Sequence, residues 1–235
     1  MKRLLRWTLM GISAAIYVTL WPEVVLPLFD TIVPGIVWRG DPKVSDIALT
    51  FDDGPDAIYT PQVLAILEHH KVPATFFLVG ERARQYPGLV AEIRARGHEI
   101  ANHSDTWRRT LGLSPAEFEA DLLRAEASLD LAAAPVKLFR PASGLLKPSQ
   151  GRILRKHGYR CILASAIPFD PQRPPTPWIV ALIKRSLKPG AIIVLHDSGG
   201  ERSRSVAAVA PAIEEAHRRG LRFRRVSELL PLTRN

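Results

Sequence analysis

The chain has 235 residues, 46% of them hydrophobic, and a formal net charge of +9. That apolar content excludes a disordered chain, and the length suits one large α/β domain or two small ones. Much of the basic excess is arginine on amphipathic stretches such as "EEAHRRGLRFRR". These read as solvated helix faces, and no recognition-helix or aromatic-plus-basic motif points to nucleic acid. The single cysteine, Cys161, excludes an internal disulfide and a cysteine-based zinc cluster, and its setting in "YRCILAS" suggests a buried thiol.

At the N-terminus, Lys2, Arg3 and Arg6 precede an uncharged run from Trp7 to Pro22, and apolar character resumes after Glu23 as far as Phe29. A cleaved signal peptide and a buried N-terminal helix compete for this pattern. No small-x-small site follows the run, so residues 1–29 are read as an uncleaved signal anchor, a membrane-spanning helix. Its basic end stays in the cytoplasm and the rest of the protein lies outside, periplasmic or extracellular. Residues 30–45 read as a linker, because Pro, Gly and Asp recur with no sustained period. Residues 46–235 then form the folded domain.

Within that domain β-rich runs alternate with amphipathic ones. "IALTF" is a strand and "PQVLAILEHH" a helix; "ATFFLV" is a strand and "PGLVAEIRARG" a helix. "HEIAN" precedes "SPAEFEADLLRAEASLD", whose Ser114 and Glu117 form a capping box. "KLFRPA", "YRCILAS", "AIIVLHD" and "LRFRRV" are further strands, separated by helices over "PSQGRILRKHG", "TPWIVALIKRSLKPG" and "SVAAVAPAIEEAHRRG". About seven βα alternations predict parallel strands wrapped by helices. Polar residues stand just past one strand after another: Asp52 and Asp53, His103, Arg140, Asp170, His196. An open doubly wound sheet gathers its site at one switch point, whereas a barrel collects residues from many strand ends. This spread favours a barrel.

Each of these residues suits hydrolytic chemistry. "TFDDGP" sets two carboxylates at a strand end, and in extended backbone they would point to opposite sides, one toward a metal and one toward a water. A plain "DDGP" turn is the competing reading. His103 ends a strand beside that pair, while His98 begins the same strand and is read as structural. Arg140 could position a carboxylate, or form no more than a surface salt bridge. His196 could protonate a leaving amine, with Asp170 or Asp197 as its orienting partner.

Taken together, these segments resemble the polysaccharide deacetylase family, the NodB-homology domain of carbohydrate esterases. "TFDDGP", "ATFFLVG", "GHEIANHS", "FRPASG" and "IIVLHD" match its motifs in order. The resemblance implies a distorted (β/α) barrel and hydrolysis of an N-acetyl or other N-acyl group from an amino sugar in a glycan or glycolipid. It implies Asp52 as general base, Asp53 and His103 as ligands of a divalent cation, commonly zinc, Arg140 as the residue that tunes Asp52, and His196 as general acid. Asp170, from the loose fourth motif "ASAIPFDPQ", joins the catalytic set. Leu195 would line the pocket for the acyl methyl group, with Pro141 and Trp107 as further substrate-binding candidates. Trp107 stands where the family has a second histidine ligand. Asp105 could replace it, water could complete a weaker two-ligand site, or the protein could work as a metal-independent amidase. The two-ligand site ranks first. A lipid-linked sugar deformylase or deacylase and a non-catalytic glycan-binding relative are the competing functions.

Overall fold

The computed structural model describes residues 35–230 apart from 108, 109 and 143, together with Val24 and Leu28. The anchor read over residues 1–29 therefore lies almost wholly outside the described residues. Among the described residues no helix is long and apolar enough to cross a membrane.

Among the described residues eight parallel strands form the sheet: β1 (Ile36–Val37), β2 (Asp46–Asp52), β3 (Thr75–Leu78), β4 (Glu99–Asn102), β5 (Lys137–Phe139), β6 (Tyr159–Ile162), β7 (Ile192–His196) and β8 (Arg222–Phe223). Their order is β1-β6-β5-β4-β3-β2-β7, with β8 pairing the start of β2. The two ends of this path meet. Residues past β6 bridge β7 through Ala166 and Ile193, and Arg39 bridges Ala191. The sheet is thus curled on itself, and every long strand delivers its carboxyl end to the same mouth. β1 falls inside the stretch read as a linker. Two residues have too short a period to register in sequence, and pairing with Cys161 and Ile162 makes them a strand.

The helices are α1 (Tyr59–His70), α2 (Gly80–Gln85), α3 (Pro87–Ala95), α4 (Pro115–Ser128), α5 (Pro148–Lys156), α6 (Thr176–Ser186), α7 (Ser203–Arg218) and α8 (Val226–Leu229). The short α2 and α8 were not anticipated. α4 starts where its cap predicts. Ser114 Oγ accepts the Glu117 N–H at 3.3 Å, and the Glu117 carboxylate accepts the Ser114 N–H at 2.8 Å. Such a cap contributes about 1 kcal/mol.

Period-two alternation divides the strands between two cores. Leu49, Phe51, Ile193 and Leu195 pack outward against Leu64, Leu67, Val209 and Ile213 of the helices. Ala48, Phe77, Ala101, Leu138, Ile162 and Ile192 fill the interior of the curl, closed from below by Val226 and Leu229. Cys161 is buried in a third cluster with Phe118 and Phe139, and burial pushes its thiol up to about 12, so it is inert at neutral pH.

Candidate active site

Asp52 and His196 are register partners on the adjacent strands β2 and β7, at the mouth of the curl. Their side chains therefore share the interior face. Thr50, two residues below Asp52, shares it too. Arg140, the first residue past β5, reaches across: its Nη1 donates to Asp52 Oδ1 at 2.6 Å and to Thr50 Oγ1 at 2.7 Å. The guanidinium also lies 3.9 Å over the ring of Phe77. Both members of the Asp52–Arg140 pair are buried. A buried pair of this kind fixes geometry more than it adds stability, and removing either partner alone leaves an uncompensated charge. Neither Thr50 nor Phe77 was singled out in the sequence, although strand alternation already put Thr50 on the face of Asp52.

Asp53 follows the last residue of β2 with φ +73°, in the left-handed region. This turn corrects the expectation that the two carboxylates point to opposite sides. The strand ends between them, and both come to His103: Asp53 Oδ1 lies 3.4 Å and Asp52 Oδ2 4.0 Å from its Nε2. The Nδ1–H of His103 donates to the Arg140 carbonyl at 2.7 Å, which turns Nε2 toward the carboxylates. Burial pushes the Asp53 pKa up, but its hydrogen bond to His103 and the charges of His103, His196 and Arg202 hold it below the ordinary carboxylate range. Burial likewise pushes His103 down, and the two carboxylates overcome this and raise it.

The Asp53–His103 pair can therefore share a proton or, in its place, a cation. Two ligands of tetrahedral zinc at bond lengths of about 2.0–2.1 Å stand about 3.3 Å apart, close to the spacing of this pair. A backbone carbonyl behind the other ring nitrogen is also the usual support of a ligating histidine. The pair fits two positions of a divalent cation. Among the described residues no group of three or more His, Cys, Asp or Glu could hold one. Asp105 does not supply the third position: Arg84 grips its carboxylate with two bonds of 2.6 and 3.2 Å, and Arg124 adds a third at 3.4 Å. Its backbone N–H is taken by Asp121. Trp107 is half exposed, and the Arg82 guanidinium lies 5.2 Å from its ring centroid. Arg82 in turn donates to the Pro55 carbonyl and to Asp56, which ties Trp107 to the rim formed by the "DDGP" turn.

On the other side of the mouth, the structure pairs His196 with Asp170 rather than Asp197. The His196 Nδ1–H donates to Asp170 Oδ1 at 3.0 Å, while Asp170 Oδ2 accepts the His196 backbone N–H at 2.8 Å and the Ser205 hydroxyl at 2.7 Å. Burial alone would push the imidazole down, but Asp170, with Asp52 and Asp53, raises it to about 9. Asp197 faces the other way. Burial pushes its carboxyl up to about 7, and Thr60 Oγ1 donates to it at 2.5 Å. It packs so tightly under the turn that a Cβ on Gly54 would sit 2.7 Å from Asp197 Oδ1, so a larger residue there would have to displace the carboxylate.

Two substrate-binding assignments change. Leu195 is wholly buried in the helix-facing core, because it alternates with His196 and pairs with Phe51 on the outer face. The apolar residue on the His196 face is Val194, two positions back. Pro141 is buried, and its carbonyl accepts the Gly144 N–H in a turn at 2.9 Å. It shapes the loop after Arg140.

The profile of the family described as "Polysaccharide deacetylase" matches residues 39–162. A peptidoglycan-N-acetylglucosamine deacetylase of Bacillus cereus is 37% identical over 83% of this chain and 92% of its own length. A chitooligosaccharide deacetylase of Sinorhizobium fredii is 33% identical over 79% of this chain and 92% of its own. Among solved structures, a peptidoglycan N-acetylglucosamine deacetylase superposes with a TM-score of 0.80 at 29% identity, covering 83% of this chain and 92% of that one. A Bacillus anthracis protein described as a CE4 family pseudoenzyme superposes at 0.76 with 27% identity, covering 84% and 69%. With the matching motifs folded into one mouth, this chain belongs to the polysaccharide deacetylase family.

Proposed function

We propose that this chain is a hydrolase that removes an N-acetyl group from an amino sugar of a glycan, of the peptidoglycan or chitooligosaccharide kind named for its relatives. The observation that carries this reading is the pair Asp52 and His196. They stand side by side on two adjacent strands, each is held by its own counter-charge, and His103 of the Asp53–His103 pair lies 4.0 Å from Asp52. Asp52, oriented by Arg140, accepts the proton of the attacking water. His196, raised to about 9, is protonated at neutral pH and donates to the departing amine as acetate leaves. Asp170 fixes the imidazole so that its Nε2–H faces the mouth. A divalent cation, zinc by the chemistry of one imidazole and one carboxylate, held by Asp53 and His103, would polarise the acyl carbonyl and activate water. Trp107 on the rim offers a sugar-stacking surface. Residues 1–29 would anchor the domain outside the cytoplasm.

A second reading, a glycan-binding relative without catalysis, is favoured by the missing third ligand among the described residues and by the likeness to a pseudoenzyme. Acetate release by the full chain from N-acetylglucosamine oligomers, with zinc added or chelated, separates the two. The expected result is zinc-dependent release that Asp52→Asn abolishes, with calorimetric zinc affinity near that of the unaltered protein. Glycan binding without release under every metal condition would select the second reading.

A further inference from the structure

The face opposite the mouth carries an excess of positive charge in one corner. The α6 and α7 carboxyl ends bring Lys184, Arg218 and Arg219 around Glu215, at 3.7, 2.5 and 2.7 Å. At the start of β2, Arg222 and Arg224 both face Asp46, at 2.8 and 3.6 Å. The two groups are joined. Arg219 donates to the Leu187 carbonyl, and three residues on the Gly190 N–H donates to the Asp46 carbonyl. Five cations thus surround two carboxylates, and exposed Asp41 and Glu214 nearby are matched in number by Lys43 and Lys188. Arg218 and Arg222 keep 70% and 60% of their side-chain surface in solvent.

The N-terminal segment enters at this same corner. Gly40, just past β1, donates its N–H to the Gly190 carbonyl. Gly35 stands only six positions after Phe29, the end of the apolar stretch. At no more than about 3.5 Å per residue, that tether spans about 20 Å at full stretch. Val24 and Leu28, the described residues of the apolar stretch, are exposed at 54% and 64%, so the domain does not bury them in its core.

We infer that this basic corner docks on anionic lipid headgroups of the membrane that holds the N-terminal segment, so that the active-site mouth opens away from the bilayer. The inference rests on the anchoring part of the proposed function. A tether of at most about 20 Å lets the corner touch the bilayer surface, and where that leaflet carries anionic lipid each Lys or Arg within a Debye length of it strengthens attraction about fivefold. The mouth lies at the far ends of the strands, and β2 alone carries seven residues, about 20 Å, between Asp46 and Asp52. A docked domain therefore presents Asp52 and His196 to glycan beyond the membrane, and a sugar attached directly to a lipid of the same leaflet lies beneath it, out of reach. The substrate class that follows is a polymeric or soluble glycan.

The test uses the full chain in lipid nanodiscs of phosphatidylcholine, with or without phosphatidylglycerol, each doped with lipid bearing a headgroup nitroxide. A fluorophore is placed by Val44→Cys at the basic corner or by Leu145→Cys near the mouth; buried Cys161 does not react. Phosphatidylglycerol is expected to cause strong quenching at position 44 and none at 145, reversed by high salt. Replacing Arg218, Arg222 and Arg224 together by Gln should lower the docked-to-free ratio on the order of 100-fold, and Lys at the three sites should restore it. Equal quenching at the two positions, or quenching unchanged by the Gln replacements, would overturn the docking. If the chain does not enter nanodiscs, the anchoring reading fails. Quenching of the same labels on preformed phosphatidylglycerol vesicles then decides the corner on its own.

Discussion

Asp170→Asn keeps the size of the side chain that orients His196 and removes its charge. Burial pushes the imidazole down, and Asp170 is the largest of the influences that raise it, ahead of Asp52 and Asp53. Without that charge the imidazole should fall from about 9 toward the ordinary histidine value of about 6.5. His196 serves as an acid, so activity is retained below its pKa and lost as pH rises through it. The alkaline limb of the kcat/KM profile should therefore move down by about two units. At pH 8 the protonated fraction drops from about 0.9 to about 0.03, a loss of roughly 30-fold before any loss of orientation. Near pH 5.5 most of the variant's histidine is protonated, and the deficit should shrink to the orientation cost alone. Acetate release measured from pH 5 to 10 on one oligomer, with zinc constant, reads both quantities. An alkaline limb that stays near pH 9 in the variant would show that Asp170 does not set the acid, and the assignment of His196 would fall with it.

Arg140→Met should destabilise the fold by about 3–5 kcal/mol in urea unfolding at pH 7, because Asp52 is left buried without its counter-charge. Arg140→Lys should lose less while still lowering kcat. His98, whose Nδ1 accepts the Ala74 N–H at 3.2 Å, is pushed by burial, and by Arg96, down to about 4. Its folded pKa lies below the unfolded value of about 6.5, so stability is intact above pH 6.5 and falls by up to about 3 kcal/mol as pH drops to 4. His98→Asn should flatten that slope in unfolding curves at pH 7.5, 5.5 and 4. Trp107→Ala should raise KM for oligomers several-fold with kcat nearly unchanged, as loss of one stacking contact of about 1 kcal/mol requires; a fall in kcat alone would exclude a rim role.

The sequence by itself determined the alternation of strands and helices, and with it which residues stand at strand ends. Those patterns are local: hydrophobic period, caps and turn residues act within a few positions. Parallel connection then places every strand's carboxyl end at one mouth, which is why Asp52, Asp53, His103, Arg140 and His196 could be named from the sequence. Even the choice of Val194 over Leu195 lay in the period-two rule. The tertiary structure decided who pairs with whom. It chose Asp170 over Asp197 for His196, gave Asp105 to Arg84 and Arg124, and turned Asp53 toward His103. The basic corner opposite the mouth also emerges only on folding, since Asp46 and Arg222 are 176 positions apart. Such pairings depend on strand register and on closure of the curl, which bring together residues whose local sequence holds no record of one another.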